Sequence, residues 1–191
     1  MKVKKKKKLE TEQSQFISSL QNKETKEVAF KKLVSLYKER LYWHIRKIVI
    51  DHEDANDVVQ NSFIKVYLNL NKFKGQSSIY TWMYRIATNE SLSFIQKKAS
   101  KLGLTNGSWI EAKAAGLVAD SYFDGDKADL LLQKAIARLP EKQRLVFNMK
   151  YFDEIKYETL SEILNTSVGA LKASYHHATQ KIKKYISDEN Q

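Results

Sequence analysis

A chain of 191 residues, 42% hydrophobic and 29% charged, can bury one large core or two small ones. It has no cysteine, which excludes disulfides and thiolate metal sites and fits a reducing compartment; no apolar run nears the ~20 residues of a membrane span. The formal net charge of +11 points to a polyanionic partner, nucleic acid first, although the lysines at Lys2 and Lys4 to Lys8 carry over half of it. That basic stretch is not followed by an apolar segment, so it does not read as a signal peptide. It reads either as a solvated tail over residues 1–15 or as a salt-sensitive phosphate contact.

One proline and six glycines favour helices over turn-rich β architecture. A short amphipathic pattern runs from Gln13 to Leu20. A longer one follows, with Phe30, Leu33, Val34, Tyr37, Leu41, Ile45 and Ile48 on one helix face. Asp51 to Asp54 breaks it and caps a helix carrying Ala55, Val58, Val59, Phe63, Val66 and Leu70. Phe73 to Ser78 is a loop around Gly75. Ser77 or Ser78 caps the next helix, Ile79 to about Lys98, with Ile79, Met83, Ile86 and Ala87 inward.

Periodicity is lost from Lys101 to Lys127, where four of the six glycines fall. Residues 100–127 are therefore expected to form a flexible linker, with at most transient helix at Ile110 to Leu117. A second helical block starts near Ala128. Pro140 suits the first turn of a helix through Met149. Tyr157 to Leu164 is a short helix, and Asn165 suits the left-handed residue that ends it. Ser167 caps a final helix to about Ile186.

Three constellations stand out. Residues 157–186 hold two helices around a tight turn, with no acid between Ile163 and Ser187. That suits a helix-turn-helix in the major groove, or an ordinary helical hairpin. Residues Ile79 to Asn89 crowd Tyr80, Trp82, Tyr84 and Arg85, which suits stacking on unpaired bases or plain packing. Asp51, Glu53, Asp54 and Asp57 precede Gln60 and Asn61, with Asp54, Asp57 and Asn61 on one face. This suits a basic protein partner, dipole stabilisation of a helix start, or a solvated face. A calcium loop lacks its turn glycine and terminal glutamate. His44 and His52 are isolated, and His176 and His177 point apart, so neither a metal nor another cofactor is expected.

In this order these segments resemble the extracytoplasmic-function sigma factors of bacterial RNA polymerase. The resemblance rests on DANDVVQNSFIKVYLNLNKF (Asp54 to Phe73), FKGQSSIYTWMYRIATN (Phe73 to Asn89) and LPEKQRLVFNMKYFDEIKYETLSEILNTSVGALKASYHHATQKI (Leu139 to Ile182). It implies an all-α protein of two small helical domains on a flexible linker: region two over 16–99 and a region four helix-turn-helix over 128–187.

The resemblance also implies roles. Asp54, Asp57 and Gln60 would dock on the beta-prime clamp of core polymerase, and region four on the beta flap. Phe73, Lys74, Gly75, Ser78, Tyr80, Trp82, Tyr84, Arg85, Asn89, Lys97 and Lys98 would read and melt the minus-ten element. Ser167, Ala170, Leu171, Lys172, Ser174, Tyr175 and His177 would face or flank the minus-thirty-five element. An anti-sigma factor, a cytoplasmic location and no catalysis by the chain itself are further expectations.

The chain departs from the family at Gly169-Ala170-Leu171-Lys172-Ala173, where Gly-Thr-Val-Lys-Ser is frequent, and it lacks arginines near Ser174 and His177. A helix-turn-helix regulator acting without polymerase is the second reading, and a metal-dependent nuclease using the Asp51 to Asp57 acids the third.

Overall fold

The computed structural model describes residues 13–120, 122, 123 and 125–189. The expected basic tail lies outside these, apart from residues 13–15. Every regular element among the described residues is helical. Residues 13–21 form α1, followed by α2 (Lys26–Val49), α3 (His52–Asn69) and a 3-10 turn (Leu70–Lys72). Then come α4 (Ile79–Lys101), α5 (Asn106–Ala115), a second 3-10 turn (Gly116–Ala119), α6 (Lys127–Ala137), α7 (Glu141–Tyr151), α8 (Tyr157–Leu164) and α9 (Val168–Glu189). Among the described residues no helix is long and apolar enough to cross a membrane.

In the first half α2, α3 and α4 pack on one another. Leu33, Leu41, Ile45 and Ile48 of α2 are fully buried, as their spacing requires. Ile50 reverses the chain into α3: it has φ +69, and the Asp51 amide donates to the Val49 carbonyl at 2.9 Å. Asp51 then caps α3, its side chain accepting from the Asp54 amide at 3.0 Å.

The inward face of α4 differs from the one expected. Met83, Tyr84, Ala87, Thr88, Ser91 and Ile95 are buried, while Ile79 and Ile86 are only half-buried. Thr88 and Ser91 tolerate burial because each hydroxyl donates to a carbonyl one turn back, at 2.8 Å. Apolar spacing alone cannot register such residues.

The stretch expected as a flexible linker is largely built into the fold. Thr105 caps α5, accepting from the Ser108 amide at 3.1 Å. Trp109, Ile110, Ala114 and Leu117 are buried, with the indole edge-on to Phe94 at 6.5 Å. Two of the glycines bracket this helix rather than disrupt it: Gly103, at φ +67, turns the chain out of α4, and Gly116 follows the last residue of α5. Beyond α5, Asp120 accepts from Arg46, and the Tyr122 ring stacks on His52 at 3.6 Å.

In the second half α7 and α6 pack against α9. Ile136, Leu139, Phe147, Ala178 and Ile182 form a small core there. The halves also pack on each other, α8 on α4 and α7 on α2. Leu145, Met149, Leu160, Ile163 and Leu171 share one buried cluster with Leu41, Ile45, Met83 and Tyr84. The sequence pattern of two separate blocks carries no sign of this closure.

Candidate nucleic-acid interface

The acidic face of α3 divides in two. Asp57 and Gln60 are exposed. Asp54 is not: it is 7% exposed, with Lys113 Nζ 2.8 Å from one carboxylate oxygen and Lys98 Nζ 3.4 Å from the other. Lys113 also donates to Asp51 at 2.9 Å. Burial pushes the Asp51 carboxyl up, but the Asp54 amide and Lys113 outweigh it and hold the group below the ordinary carboxylate range. The expectation that Asp54 faces a partner is thereby corrected, because an internal cation occupies its carboxylate. With Asp51 and Asp54 held by Lys113, only Glu53 and Asp57 of these four acids remain exposed.

Sequence spacing missed the feature beside Asp57 and Gln60. A groove of about 570 Å³ runs between α2 and α3, floored by Phe30, Val59 and Phe63. Ile64 and Leu68 on its rim are 49% and 68% exposed. Their offset from the buried row by one residue is the signal that could have found them: two apolar residues outside the inward face.

The loop from Phe73 to Ser78 is held at both ends. Gln21 of α1 donates to the carbonyls of Leu70 at 3.0 Å and Phe73 at 2.8 Å. Ser78 caps α4, accepting from the Thr81 amide at 3.0 Å. Between them Gly75 takes φ +69, which a side chain would strain. Lys74 and Gly75 are exposed, whereas the Phe73 ring is buried against Trp82 with centroids 5.1 Å apart. A cavity of about 770 Å³ lies between this loop, α1 and α2, walled by Phe16, Leu36, Tyr37 and Tyr80.

On α4 the aromatics take different parts. Tyr84 is buried, stacked at a tilt on Tyr80 (4.2 Å) and His44 (4.7 Å). Burial, with Tyr80 beside it, pushes its hydroxyl far above the ordinary range, so it stays neutral. Phe73 and Tyr84 are therefore core residues, which corrects their expected place on the strand. Trp82 and Tyr80 are half-buried. Arg85, Asn89, Ser93 and Lys97 recur every four residues and are all exposed, forming one row along the helix. Ser93 was not among the expected residues, although the spacing was visible. Lys98 is turned toward Asp54 and lies 5.0 Å from the Phe94 ring centre.

In α8 and α9 the turn is as expected. Asn165 is left-handed at φ +48, and Ser167 caps α9 by accepting from the Ala170 amide at 3.3 Å. Ala170, Lys172, Ala173 and His177 are exposed, and Ser174 is half-buried. Lys181, one turn beyond His177, is exposed and extends this face. Leu171 is 0% exposed and belongs to the core, which corrects its expected contact with DNA. Tyr175 stacks on Phe147 at 5.8 Å and so serves packing at least in part. The Lys172 ammonium lies 5.8 Å from the Tyr157 ring centre.

The halves are joined by polar contacts as well. Asp153, in the turn between α7 and α8, accepts from His44 Nδ1 at 2.8 Å and from Lys47 at 2.6 Å. Burial pushes its carboxyl up, but the hydrogen bonds and charges of His44 and Lys47 hold it below the ordinary range. Asn148 donates to the Lys47 carbonyl at 2.8 Å, and Arg85 to the Glu162 carbonyl at 2.5 Å.

Residues 33–101 match the Sigma-70 region 2 family, and residues 129–182 match Sigma-70, region 4. The ECF RNA polymerase sigma factor SigW of Bacillus subtilis is 31% identical over 174 residues, covering 84% of this chain and 90% of that protein. The RNA polymerase sigma-H factor of Pseudomonas aeruginosa is 28% identical, covering 83% and 86%. Two solved structures are similar in fold. The sigma factor RpoE of Bartonella quintana, in complex with the anti-sigma factor NepR, has TM-score 0.63 and 20% identity over 83% of this chain and 96% of that one. CnrH, in complex with the cytosolic domain of CnrY, has TM-score 0.65 and 19% identity over 92% and 94%.

Proposed function

Because the chain belongs to the extracytoplasmic-function sigma factors of the sigma-70 family, we propose that it brings core RNA polymerase to promoters through one face and reads DNA through two others. Asp57 and Gln60, with the neighbouring apolar rim at Ile64 and Leu68, form the surface for the polymerase clamp. A mixed acidic and apolar surface on an otherwise basic chain suits a basic, amphipathic helical partner.

The minus-ten surface consists of the loop at Lys74 to Ser78, Tyr80 and Trp82, and the row Arg85, Asn89, Ser93 and Lys97. Arg85 and Lys97 supply charge for the backbone, and the half-buried aromatics offer edges on which an unpaired base can stack. Ser167, Ala170, Lys172, Ala173, Ser174, His177 and Lys181 form the minus-thirty-five surface. The chain supplies no catalytic step; nucleotide addition belongs to the polymerase. Since RpoE and CnrH were each solved with a protein bound to them, NepR and CnrY, a similar inhibitor is proposed for this chain.

The observation that carries this reading is the pair of family matches in order along one chain. A regulator acting without polymerase would use α8 and α9 and leave residues 33–101 without a role. The test is multi-round transcription with purified core polymerase and a promoter-fragment library. Discrete new start sites that require this chain support the reading. Duplex binding with neither core binding nor new starts would sink it.

A further inference from the structure

The short helix α1 lies outside the residues matched to region 2, yet it holds the loop assigned to the minus-ten strand. Nine residues make too short a helix to persist alone, so α1 needs tertiary anchors. Leu20 supplies one and is 1% exposed. Phe16 and Ile17, one turn back on the same side, stay half-buried and line the cavity of about 770 Å³ beside the loop. Gln21 supplies the second anchor. Its side-chain nitrogen has two hydrogens, and it donates to the Leu70 carbonyl at 3.0 Å and to the Phe73 carbonyl at 2.8 Å. Leu70 begins the 3-10 turn that delivers the chain into the loop, and Phe73 follows its last residue. One amide group thus staples both ends of that turn.

Beyond the turn Lys74, Gly75 and Gln76 are exposed, so the loop takes its position from its ends rather than from burial. The cavity it borders suits an unpaired nucleobase. Phe16, Tyr37 and Tyr80 give it aromatic walls, and Gln76 and Ser77 of the loop bring groups that can hydrogen-bond a base edge. Exposed Lys32 adds a cation for the phosphate, and none of the described residues lining the cavity is acidic.

We propose that α1 is a working part of the minus-ten reader: Phe16 forms one wall of a cavity for a single unpaired base, and Gln21 is the positioning residue that sets the loop forming another. The proposal rests on the reading of that loop as a minus-ten contact. Gln21 itself meets no nucleotide; it acts through the Leu70 and Phe73 carbonyls. A loop fixed in advance costs less to order when the base arrives, so its staple strengthens the capture of that one base and not the grip on the strand as a whole.

A promoter recovered from the transcription library supplies the template. Forked duplexes with the non-template minus-ten strand unpaired are prepared intact and with one abasic nucleotide at each position in turn. Binding is measured with the assembled holoenzyme. One abasic position should weaken binding by the unaltered protein about tenfold, the scale of one stacked base. Gln21→Met keeps the length and neutrality of the side chain but cannot donate, and Phe16→Ala removes the wall. Each should bind the intact template at least about fivefold more weakly, within the range of one stacked base. Each should bind the template lacking that one base as the unaltered protein does.

Circular dichroism melts and core affinity, measured on the same variants, establish that each is folded and assembles. A loss of equal size on every template, the abasic one included, would make Gln21 a purely structural residue and overturn the proposal. So would Gln21→Met binding the intact template as the unaltered protein does, or a minus-ten strand with no costly abasic position. Transcription separates the two ideas: start sites that require this chain, with no position-specific effect of Gln21→Met, overturn the role of α1 alone, whereas no start sites overturn the sigma reading and the role of α1 with it.

Discussion

Lys113 of α5 and Asp54 of α3 meet at 2.8 Å, and Lys98 of α4 lies 3.4 Å from the other oxygen of the same carboxylate. Three helices therefore converge on one buried charge, and one of them belongs to the segment between the two family-matched regions.

Removing either anchor of that segment should cost stability. Lys113→Met leaves Asp54 with one partially exposed cation, so about 1–2 kcal/mol is expected, below the full cost of an unpaired buried charge. Trp109→Ala empties a buried site and should cost about 3–5 kcal/mol. Urea denaturation checks both. A linker that does not pack would show neither loss.

The pH dependence of folding has a defined sign. The Asp51 and Asp153 carboxyls lie below their ordinary range in the folded chain, so both contribute stability above the unfolded carboxylate pKa. That contribution should be lost as pH falls from about 5 toward 2. Equilibrium unfolding across this window should show a steep decline, and a shallower one for Asp153→Asn, whose side chain can no longer gain a proton there.

Trp82 separates promoter opening from assembly. Trp82→Ala should reduce permanganate reactivity of promoter thymines in core complexes by about tenfold, the scale of one lost base-stacking contact. Core affinity should change by less than threefold, because the groove beside Asp57 lies on other elements. Trp82→Phe should recover part of the opening. Equal loss of core binding and of the folded state would make packing on Phe73 the main role of the indole.

Leu171 and Lys172 are neighbours with opposite expectations. Leu171→Ala should destabilise the chain by about 2–5 kcal/mol, as a cavity in a packed site does. Lys172→Ala should leave stability nearly unchanged and weaken duplex binding at low salt. It should also reduce the slope of log affinity against log salt by about one phosphate contact. Thermal melts and salt titrations distinguish the two.

Much of the helical order was legible because its signals are local. Asp51, Ser78 and Ser167 cap the helices they precede, and Asn165 takes the left-handed turn. What sequence reading lost depends on which way a side chain faces. Asp54 shares spacing with Asp57, yet Lys113, distant in sequence, turns it inward. Tyr84 and Leu171 sit beside exposed Arg85 and Lys172, and adjacent residues on a helix face different ways. The helix at Asn106–Ala115 was obscured because its glycines lie near its ends, where composition alone cannot tell a boundary from a linker. The closure of the halves leaves no periodic trace, since Asp153 and His44 are isolated residues in separate blocks.

The apolar cluster shared by α2, α4 and α8 gives closure a thermal character. Separating the halves exposes Leu160, Ile163 and their neighbours to water, which raises the heat capacity of the open form. Apolar attraction weakens on cooling while ionic contacts persist, so the packing of the halves on each other should weaken in the cold through the hydration of these side chains. Cold should loosen the protein, and modest warming should tighten it, before heat unfolds it.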